Sequence, residues 1–137
     1  MARTLLMVKP DAVGRGLTGE ILRQLEGEGF RVRALRMLRL KTDEAESFYA
    51  VHRERPFYGP LVAYMTSGPV VPVVLEKEDA VKALREFIGA TNPAEARKGS
   101  IRSDLGIDVQ RNAVHASDAP ETAAREIAFF FTERELV

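Results

Sequence analysis

The chain has 137 residues, of which 29% are charged and 45% hydrophobic, a composition typical of a soluble globular protein. Its 20 basic and 20 acidic side chains balance, so net charge does not steer the protein toward a polyanion, and we predict no nucleic-acid partner. It has no cysteine, which excludes a thiolate nucleophile and disulfides, and its apolar runs fall short of the ~20 residues that cross a bilayer. We therefore expect one cytoplasmic domain over residues 1–137, without a membrane segment.

The first part of the chain reads as strand, helix and strand. A short apolar run predicts a first strand over residues 3–9. Apolar residues at helical spacing predict a helix over Thr18–Glu28, with Thr18 as its cap and Gly29 as its stop. Apolar residues that alternate with arginines predict a second strand over Phe30–Leu40, with a bulge at Ala34–Leu35.

The middle of the chain reads as short helices, a buried strand and a longer helix. Two short helices are predicted over residues 43–51 and 61–67, because prolines and a glycine within residues 54–60 break any continuous helix. A largely apolar run then predicts a strand over Val70–Glu76, and helical spacing predicts a helix over Asp79–Ile88.

The last part begins with a long segment, residues 89–111, that shows neither helical nor strand periodicity. A loop of that length in a compact domain is usually functional. A strand over Asn112–Ala116 follows, and Asp118 to Glu121 predict the start of a last helix with a cap and an early proline. The order of elements predicts an α+β fold: a ferredoxin-like split βαβ sandwich, a four-stranded antiparallel sheet with helices packed on it.

Three glycines, Gly14, Gly16 and Gly19, match the dinucleotide-binding pattern G-x-G-x-x-G between a predicted strand and a predicted helix. The context argues against that function. The first strand runs into Lys9 and Pro10 instead of a glycine turn, no acidic strand end follows ~20 residues later, and the chain is short for a doubly wound sheet. We therefore reject a dinucleotide site.

The chain has two histidines, His52 and His115. A single histidine is more often structural than catalytic, but His115 lies on the short strand that follows the long loop, where sites are commonly built. The small neighbours Ala113 and Ala116 leave its ring approachable. Imidazole is a competent nucleophile near neutral pH without an auxiliary base, so His115 is the candidate nucleophile.

Basic side chains at the end of the first strand and in or beside the long loop are candidate anion ligands. Lys9 follows the first strand, Arg85 lies in the helix before the long loop, and Arg102 lies in the loop itself. Guanidinium groups bind phosphate oxygens in a bidentate manner. Most of the arginines are nevertheless expected to be solvated surface charges. For the arginines of the second predicted strand, a solvent face is at least as good an explanation as nucleic-acid binding, and the balanced net charge counts against the latter.

The segment Asn112–Asp118 reads NAVHASD and resembles the active-site signature of nucleoside diphosphate kinases. Further similar segments follow in the family's order: Leu6–Asp11, Tyr49–His52, Arg55–Tyr58, Met65–Val71, Gly89–Pro93 and Gly99–Arg102. The resemblance covers essentially the full length. It implies phosphoryl transfer from a nucleoside triphosphate, chiefly ATP, to nucleoside diphosphates, which maintains the NTP and dNTP pools. The alternative is a regulatory module that binds nucleotides without catalysis.

The resemblance also implies roles for individual residues. His115 would take the phosphoryl group, with Glu126 orienting its other ring nitrogen and Ser117 nearby. Lys9 and Asn112 would bond the sugar hydroxyls, and Lys9 would also counter charge on the transferred group. The other implied nucleotide ligands are Tyr49, His52, Arg85, Thr91 and Arg102 at the phosphates, with Tyr49 also in the catalytic set, Phe57 and Val109 around the base, and Leu61.

The resemblance further implies a cofactor and an assembly. Mg²⁺ would bridge the nucleotide phosphates without ligands from protein side chains. The protein would be a homo-oligomer, with a hexamer favoured and a tetramer possible. The sequence departs from the family pattern where Lys98 replaces a proline and Ser100 replaces a threonine, which concerns the geometry of that loop.

Overall fold

A computed structural model describes all residues from Met1 to Val137. Four strands form one antiparallel sheet in the order β2-β3-β1-β4. The strands are β1 (Ala2–Val8), β2 (Arg31–Leu35), β3 (Val71–Lys77) and β4 (Val114–Ala116). This architecture confirms the predicted α+β fold of the ferredoxin-like split βαβ type.

Seven helices connect and cover the strands. They are α1 (Pro10–Gly14), α2 (Thr18–Gly27), α3 (Thr42–Phe48), α4 (Tyr58–Met65), α5 (Ala80–Ile88), α6 (Ile101–Leu105) and α7 (Pro120–Phe130). Single turns of 3₁₀ helix lie at Ala50–His52, Pro93–Glu95 and Glu133–Glu135. None of the helices has the length and apolar character needed to cross a membrane.

Strand β1 is the centre of the packing because both of its faces are buried. Side chains alternate between the two faces of a strand. Leu6 and Val8 therefore join the apolar cluster under α2 and α5, whereas Leu5 and Met7 join the cluster under α3, α4 and α7. Burial on both sides fixes the position of β1 and of Lys9, the residue that follows it.

Strand β2 differs from its predicted form. It ends at Leu35, before the predicted end at Leu40. Beyond it, Leu38 forms an isolated bridge with Val70, the residue before β3. The predicted bulge is present, but it lies just before Ala34–Leu35, since the register on β3 shifts around Arg33, which is the extra residue. The Arg33 guanidinium bonds the Glu76 carboxylate of β3 at 2.9 Å, an ion pair that sequence periodicity does not reveal.

Both predicted helix caps are wrong. Thr18 is the first residue of α2 and Leu17 occupies the N-cap, while the N-cap of α7 is Ala119 rather than Asp118. Neither N-cap makes a side-chain hydrogen bond. Pro120 at the first position of α7 has the backbone angle that a helix needs and lacks the N–H that would be unpaired there, so it favours that start.

Two further expectations about helices are wrong. The helix predicted over residues 61–67 begins earlier, at Tyr58, and contains Pro60 in its first turn, where a proline is tolerated. The predicted loop over residues 89–111 contains α6, whose first turn is capped by the Ser100 hydroxyl accepting from the Ser103 N–H at 3.3 Å. Helices of one turn are too short to show a period in the sequence.

One buried polar group in the sheet generates a test of this packing. The Thr4 hydroxyl on β1 is fully buried and has no hydrogen-bond partner. Valine has the same shape without the uncompensated hydroxyl, so Thr4→Val should raise the free energy of unfolding by about 1 kcal/mol in urea denaturation at fixed protein concentration. Thr66→Val is the control, because the Thr66 hydroxyl donates to the Val62 carbonyl at 2.9 Å and its loss should not stabilise. A Thr4→Val protein no more stable than the parent would contradict this account.

Candidate active site

The position of His115 is set by strand pairing and by aromatic contacts. In the antiparallel pair β1–β4, His115 lies opposite Met7. The two side chains therefore share the face of the sheet that α3, α4 and α7 cover. The Phe48 ring meets the imidazole edge-on at 5.3 Å between centroids, and the Tyr49 ring does so at 6.0 Å. These contacts hold the ring in one orientation.

The two nitrogens of His115 have different environments. Nε2 lies 2.8 Å from Oε1 of Glu126, and the Ser117 hydroxyl donates to the same oxygen at 2.6 Å. Burial opposes ionisation of Glu126, but the hydrogen bonds from His115 and Ser117 outweigh it and lower the pKa of the carboxyl. Because a carboxylate only accepts hydrogen bonds, Nε2 carries the proton. Nδ1 is then left with a free lone pair and no partner.

His115 lines an open cavity of about 580 Å³, a size common for small-molecule sites. The structure brings every predicted site residue to this cavity except Ser117, which lies behind Glu126. The lining residues among those predicted are Lys9, Tyr49, His52, Phe57, Leu61, Arg85, Thr91, Arg102, Val109, Asn112, His115 and Glu126.

Lys9 is held at the cavity by contacts with three residues. Its ammonium donates to Asn112 Oδ1 at 2.9 Å and to the Gln110 carbonyl at 2.6 Å, and it lies 5.7 Å from the centre of the Tyr64 ring. Asn112 in turn donates to the Thr91 carbonyl at 2.9 Å. Lys9 is only 6% exposed, and burial lowers its pKa to about 8. No carboxylate neutralises this ammonium directly.

Two guanidinium groups converge beside His115 because both bond to strand β4. Arg102 donates to the Val114 carbonyl at 2.8 Å, and Arg85 donates to the Ala116 carbonyl at 3.2 Å. Burial, followed by the charge of Arg85, lowers the pKa of Arg102 to about 10, so it stays positive at neutral pH. Neither arginine takes part in a salt bridge. Unpaired cations at this spot favour an anionic ligand.

The mouth of the cavity is apolar and exposed. Phe57 is 48% exposed and Val109 is 56% exposed, although both are hydrophobic. The His52 ring packs against Phe57 at 5.2 Å between centroids, and Tyr49 lies 6.5 Å from His52 on the inner side. A flat apolar ligand group fits such a slot, whereas the inner cavity with its cations fits the charged end.

Some cavity residues were not among those predicted. Gln110 contributes only a backbone carbonyl, which no sequence pattern signals. Asp118, Thr122 and Arg125 also line the cavity. Thr122 precedes Glu126 by four residues in α7, so this cavity-facing position could have been found from helical spacing once Glu126 was named, whereas Asp118 lies before the helix.

Comparison with known proteins adds independent findings. The family model described as nucleoside diphosphate kinase matches residues 2–136. The nucleoside diphosphate kinase of Desulfatibacillum aliphaticivorans is 57% identical over 136 residues, which cover 99% of each chain. That of Archaeoglobus fulgidus is 54% identical over 137 residues, covering 100% of this chain and 91% of the relative.

Solved structures agree with the sequence relatives. The Aquifex aeolicus nucleoside diphosphate kinase superposes with a TM-score of 0.96 at 52% identity, covering 99% of both chains. A halophilic nucleoside diphosphate kinase from Halobacterium salinarum, solved in complex with CDP, superposes with a TM-score of 0.95 at 42% identity. That match covers 98% of this chain and 90% of the other. The resemblance drawn from the signature is thereby confirmed.

The burial of Lys9 predicts an unusual pH dependence of stability. Its pKa is about 8 in the folded protein against 10.5 ordinarily, so the unfolded chain binds more protons between these values and stability rises with pH. From about pH 7 to about pH 11, the free energy of unfolding of the parent should rise by roughly 3 kcal/mol relative to that of Lys9→Met. Replacing the exposed Lys98 by methionine should leave the parent's pH dependence in place. Parallel curves for the parent and Lys9→Met would refute the burial of a charged lysine.

Proposed function

Since the chain belongs to the nucleoside diphosphate kinase family, we propose that it transfers the terminal phosphoryl group of a nucleoside triphosphate, chiefly ATP, to nucleoside diphosphates by way of phosphorylated His115. The observation that carries this mechanism is the free Nδ1 of His115 with two unpaired arginines beside it. A regulatory module that only binds nucleotides gives no reason for an oriented imidazole at that position. In a cell the reaction balances the NTP and dNTP pools.

The reaction divides into two displacements at the same site. In the first, the Nδ1 lone pair of His115 attacks the terminal phosphorus, the bond from phosphorus to the bridging oxygen breaks, and the diphosphate leaves with that electron pair. Nε2 keeps its proton and donates it in a hydrogen bond to Glu126, whose negative charge stabilises the positive charge on the phosphorylated ring. In the second, a terminal oxygen of the acceptor diphosphate attacks the phosphorus, and the N–P bond breaks. This sequence is a ping-pong mechanism.

The cations serve both halves of the reaction. Arg85 and Arg102 are oriented by carbonyls of β4, and Lys9 by Asn112 and Gln110. Groups that are oriented in advance stabilise migrating charge without reorganisation at the moment of transfer. Donor and acceptor nucleotides present the same phosphates in turn. One pocket therefore suffices for both substrates.

Family membership supports a divalent cation, and we propose that it is Mg²⁺. The structure contains no group of three or more His, Asp or Glu side chains that could hold a metal. Of the two carboxylates that line the cavity, Glu126 is bonded to His115 and Ser117, which leaves Asp118 to hold a metal-bound water. These residues fit a cation that would be bound chiefly through nucleotide phosphates, where it would supply positive charge during phosphoryl transfer.

The cavity supports an assignment for the rest of the nucleotide. The base would stack between Phe57 and Val109, whose side chains offer no hydrogen bonds, so purines and pyrimidines should both be accepted. Lys9 and Asn112 would bond the sugar hydroxyls, and Thr91, His52, Tyr49 and Leu61 would line the nucleotide between base and phosphates. The relative that is solved with CDP supports a nucleoside diphosphate in this cavity.

We also propose that residues 1–137 form one domain and that copies of it assemble into a homo-oligomer, a hexamer in preference to a tetramer. Strand β2 is at the edge of the sheet, where unpaired backbone groups favour association. Leu35 is 50% exposed and Met37 is 60% exposed at this edge.

Because nucleotides are cytoplasmic metabolites, the proposal includes a cytoplasmic site of action.

The phosphohistidine can be tested without an acceptor. Incubation with γ-labelled ATP should leave about one acid-labile, base-stable phosphate per chain, and adding a nucleoside diphosphate should discharge it. His115→Ala should lose both the label and turnover, because Nδ1 is the attacking atom. His52→Ala is the matched control, since it should weaken turnover and retain the label. A His115→Ala protein that still accumulates label would exclude His115 as the carrier.

The assignment of the sugar contacts predicts a strong dependence on the 3′-hydroxyl. A dideoxy nucleotide would leave polar groups of Lys9 and Asn112 unpaired, at roughly 1–3 kcal/mol each. Dideoxy diphosphates should therefore have kcat/KM at least about tenfold below that of 2′-deoxy diphosphates, which are the control. Changing the base should matter by less than about 10³-fold. Equal kcat/KM for deoxy and dideoxy acceptors would contradict the assignment.

The proposed oligomer predicts a defined solution mass. Sedimentation equilibrium at micromolar concentration should give a hexamer, and Met37→Glu should shift the mass toward smaller species because it places charge on the exposed edge. Glu95→Gln, a change at an exposed residue in the turn that packs on α6 and away from β2, is the control. A parent protein with the mass of a single chain would rule out the assembly.

A further inference from the structure

Ala113 has a strained backbone immediately before strand β4. Its φ is +75°, which is uncommon for a residue that has a Cβ atom. The Val114 N–H donates to the Asn112 carbonyl at 2.9 Å, so Ala113 is the central residue of a γ-turn of the rare, positive-φ kind. Such a conformation persists only where the surrounding structure holds it in place.

Asp11 of α1 holds this turn from one side. Its Oδ2 accepts a hydrogen bond from the Ala113 N–H at 3.1 Å, and its Oδ1 accepts one from the Tyr64 hydroxyl of α4. The carboxylate is 3% exposed, with only Arg15 at its outer rim, 3.2 Å away. On the other side, the Lys9 N–H donates to the Ala113 carbonyl at 2.9 Å. The peptide groups around Ala113 are thus fixed by the segment that contains Lys9 and Asp11.

The turn lies between groups that the proposed function places in the site. Asn112 precedes it and accepts from the Lys9 ammonium, while His115 follows it by two residues. A displacement at Ala113 would therefore move both relative to Lys9. We propose that Asp11 is a positioning residue for phosphoryl transfer, which fixes the turn at Ala113 by its hydrogen bonds and holds Lys9 in its ammonium form by its charge. This inference rests on the function proposed above.

The charged groups that face Lys9 support the proposal that Asp11 keeps it in its ammonium form. Burial lowers the pKa of Lys9, and the negative charge of Asp11 is the largest influence that opposes this decrease. Asp108 in the loop before β4 also raises the pKa, but its side chain is 47% exposed and is screened by solvent. Arg102 of α6 acts in the opposite direction, and α4 contributes the Tyr64 ring. Asp11 is therefore the main group that favours protonation of Lys9.

Two substitutions separate the charge of Asp11 from its geometry. Asp11→Asn keeps an oxygen that can accept from Ala113 but removes the charge. The alkaline limb of the kcat/KM profile, where Lys9 loses its proton, should then move to lower pH by about one unit. Tyr64→Phe keeps the charge of Asp11 and the aromatic ring beside Lys9, but it removes the hydrogen bond to Asp11 Oδ1. It should lower kcat roughly tenfold and leave the alkaline limb in place.

A matched carboxylate outside the site controls for loss of stability. Glu76 bonds Arg3 and Arg33, and it pairs with the start of β1, at the opposite end of that strand from Lys9. Glu76→Gln should therefore remove ion pairs yet keep both kcat and the alkaline limb of the parent. A limb that moved equally in Glu76→Gln would show a general effect of stability and overturn the role of Asp11.

A second readout does not depend on turnover. Lysines labelled by reductive ¹³C-methylation can be titrated by NMR, with Lys9→Arg assigning the Lys9 signal. The Lys9 midpoint should lie near 8 in the parent and lower in Asp11→Asn. A midpoint that does not move in Asp11→Asn overturns the inference, whether or not the parent transfers phosphate. A parent without phosphoryl transfer but with the predicted midpoint change would instead remove the proposed function and leave the coupling between Asp11 and Lys9.

Discussion

The pairing of the three-residue strand β4 with the buried strand β1 is the constraint on which the site depends. Strand β1 is packed on both faces and cannot shift without disturbing two apolar clusters. Because β4 is at the sheet edge, its outer carbonyls lack strand partners, and Arg85 and Arg102 bond to two of them. The same backbone that presents His115 therefore also aims the cations beside it.

Charge burial at this site has a cost that the fold has to offset. Lys9 and Arg102 are almost fully buried, and burial lowers the pKa of each. Neither is neutralised by a direct ion pair, and burial of an unpaired charge is unfavourable. A polyphosphate ligand would supply the missing negative charge. The buried charges thus make the site less stable than an apolar interior but orient its cations for an anion. Such a trade-off between stability and function is common.

Much of the fold could be predicted because its main elements are long enough to show their period. Strands β1 and β3 and helices α2 and α5 occur close to their predicted bounds. The bulge at Arg33 could not be located, since it depends on how β2 meets β3. One-turn helices such as α6 carry no periodic signal. The helix caps were misplaced because local propensity for a polar cap was outweighed by the packing of the chain around the helix starts.

The residues that line the candidate site could be predicted from the sequence, but not all of the contacts that position them. The short signature around His115 and the resemblance that it carries named residues which the structure brings to one cavity. The role of Asp11 could not be predicted from the signature. Its role depends on a hydrogen bond to Ala113, a residue far along the chain, and on a positive φ that nothing in the sequence announces.

The central claim is that Glu126 engages Nε2 of His115 and thereby leaves Nδ1 to attack phosphorus. The most direct measurement is NMR of the ¹⁵N-histidine-labelled protein after phosphorylation by ATP, in which the ³¹P–¹⁵N coupling identifies the phosphorylated nitrogen. We expect coupling to Nδ1, with Nε2 still protonated and bonded to Glu126. Coupling to Nε2, or a phosphate on any residue other than His115, would contradict it.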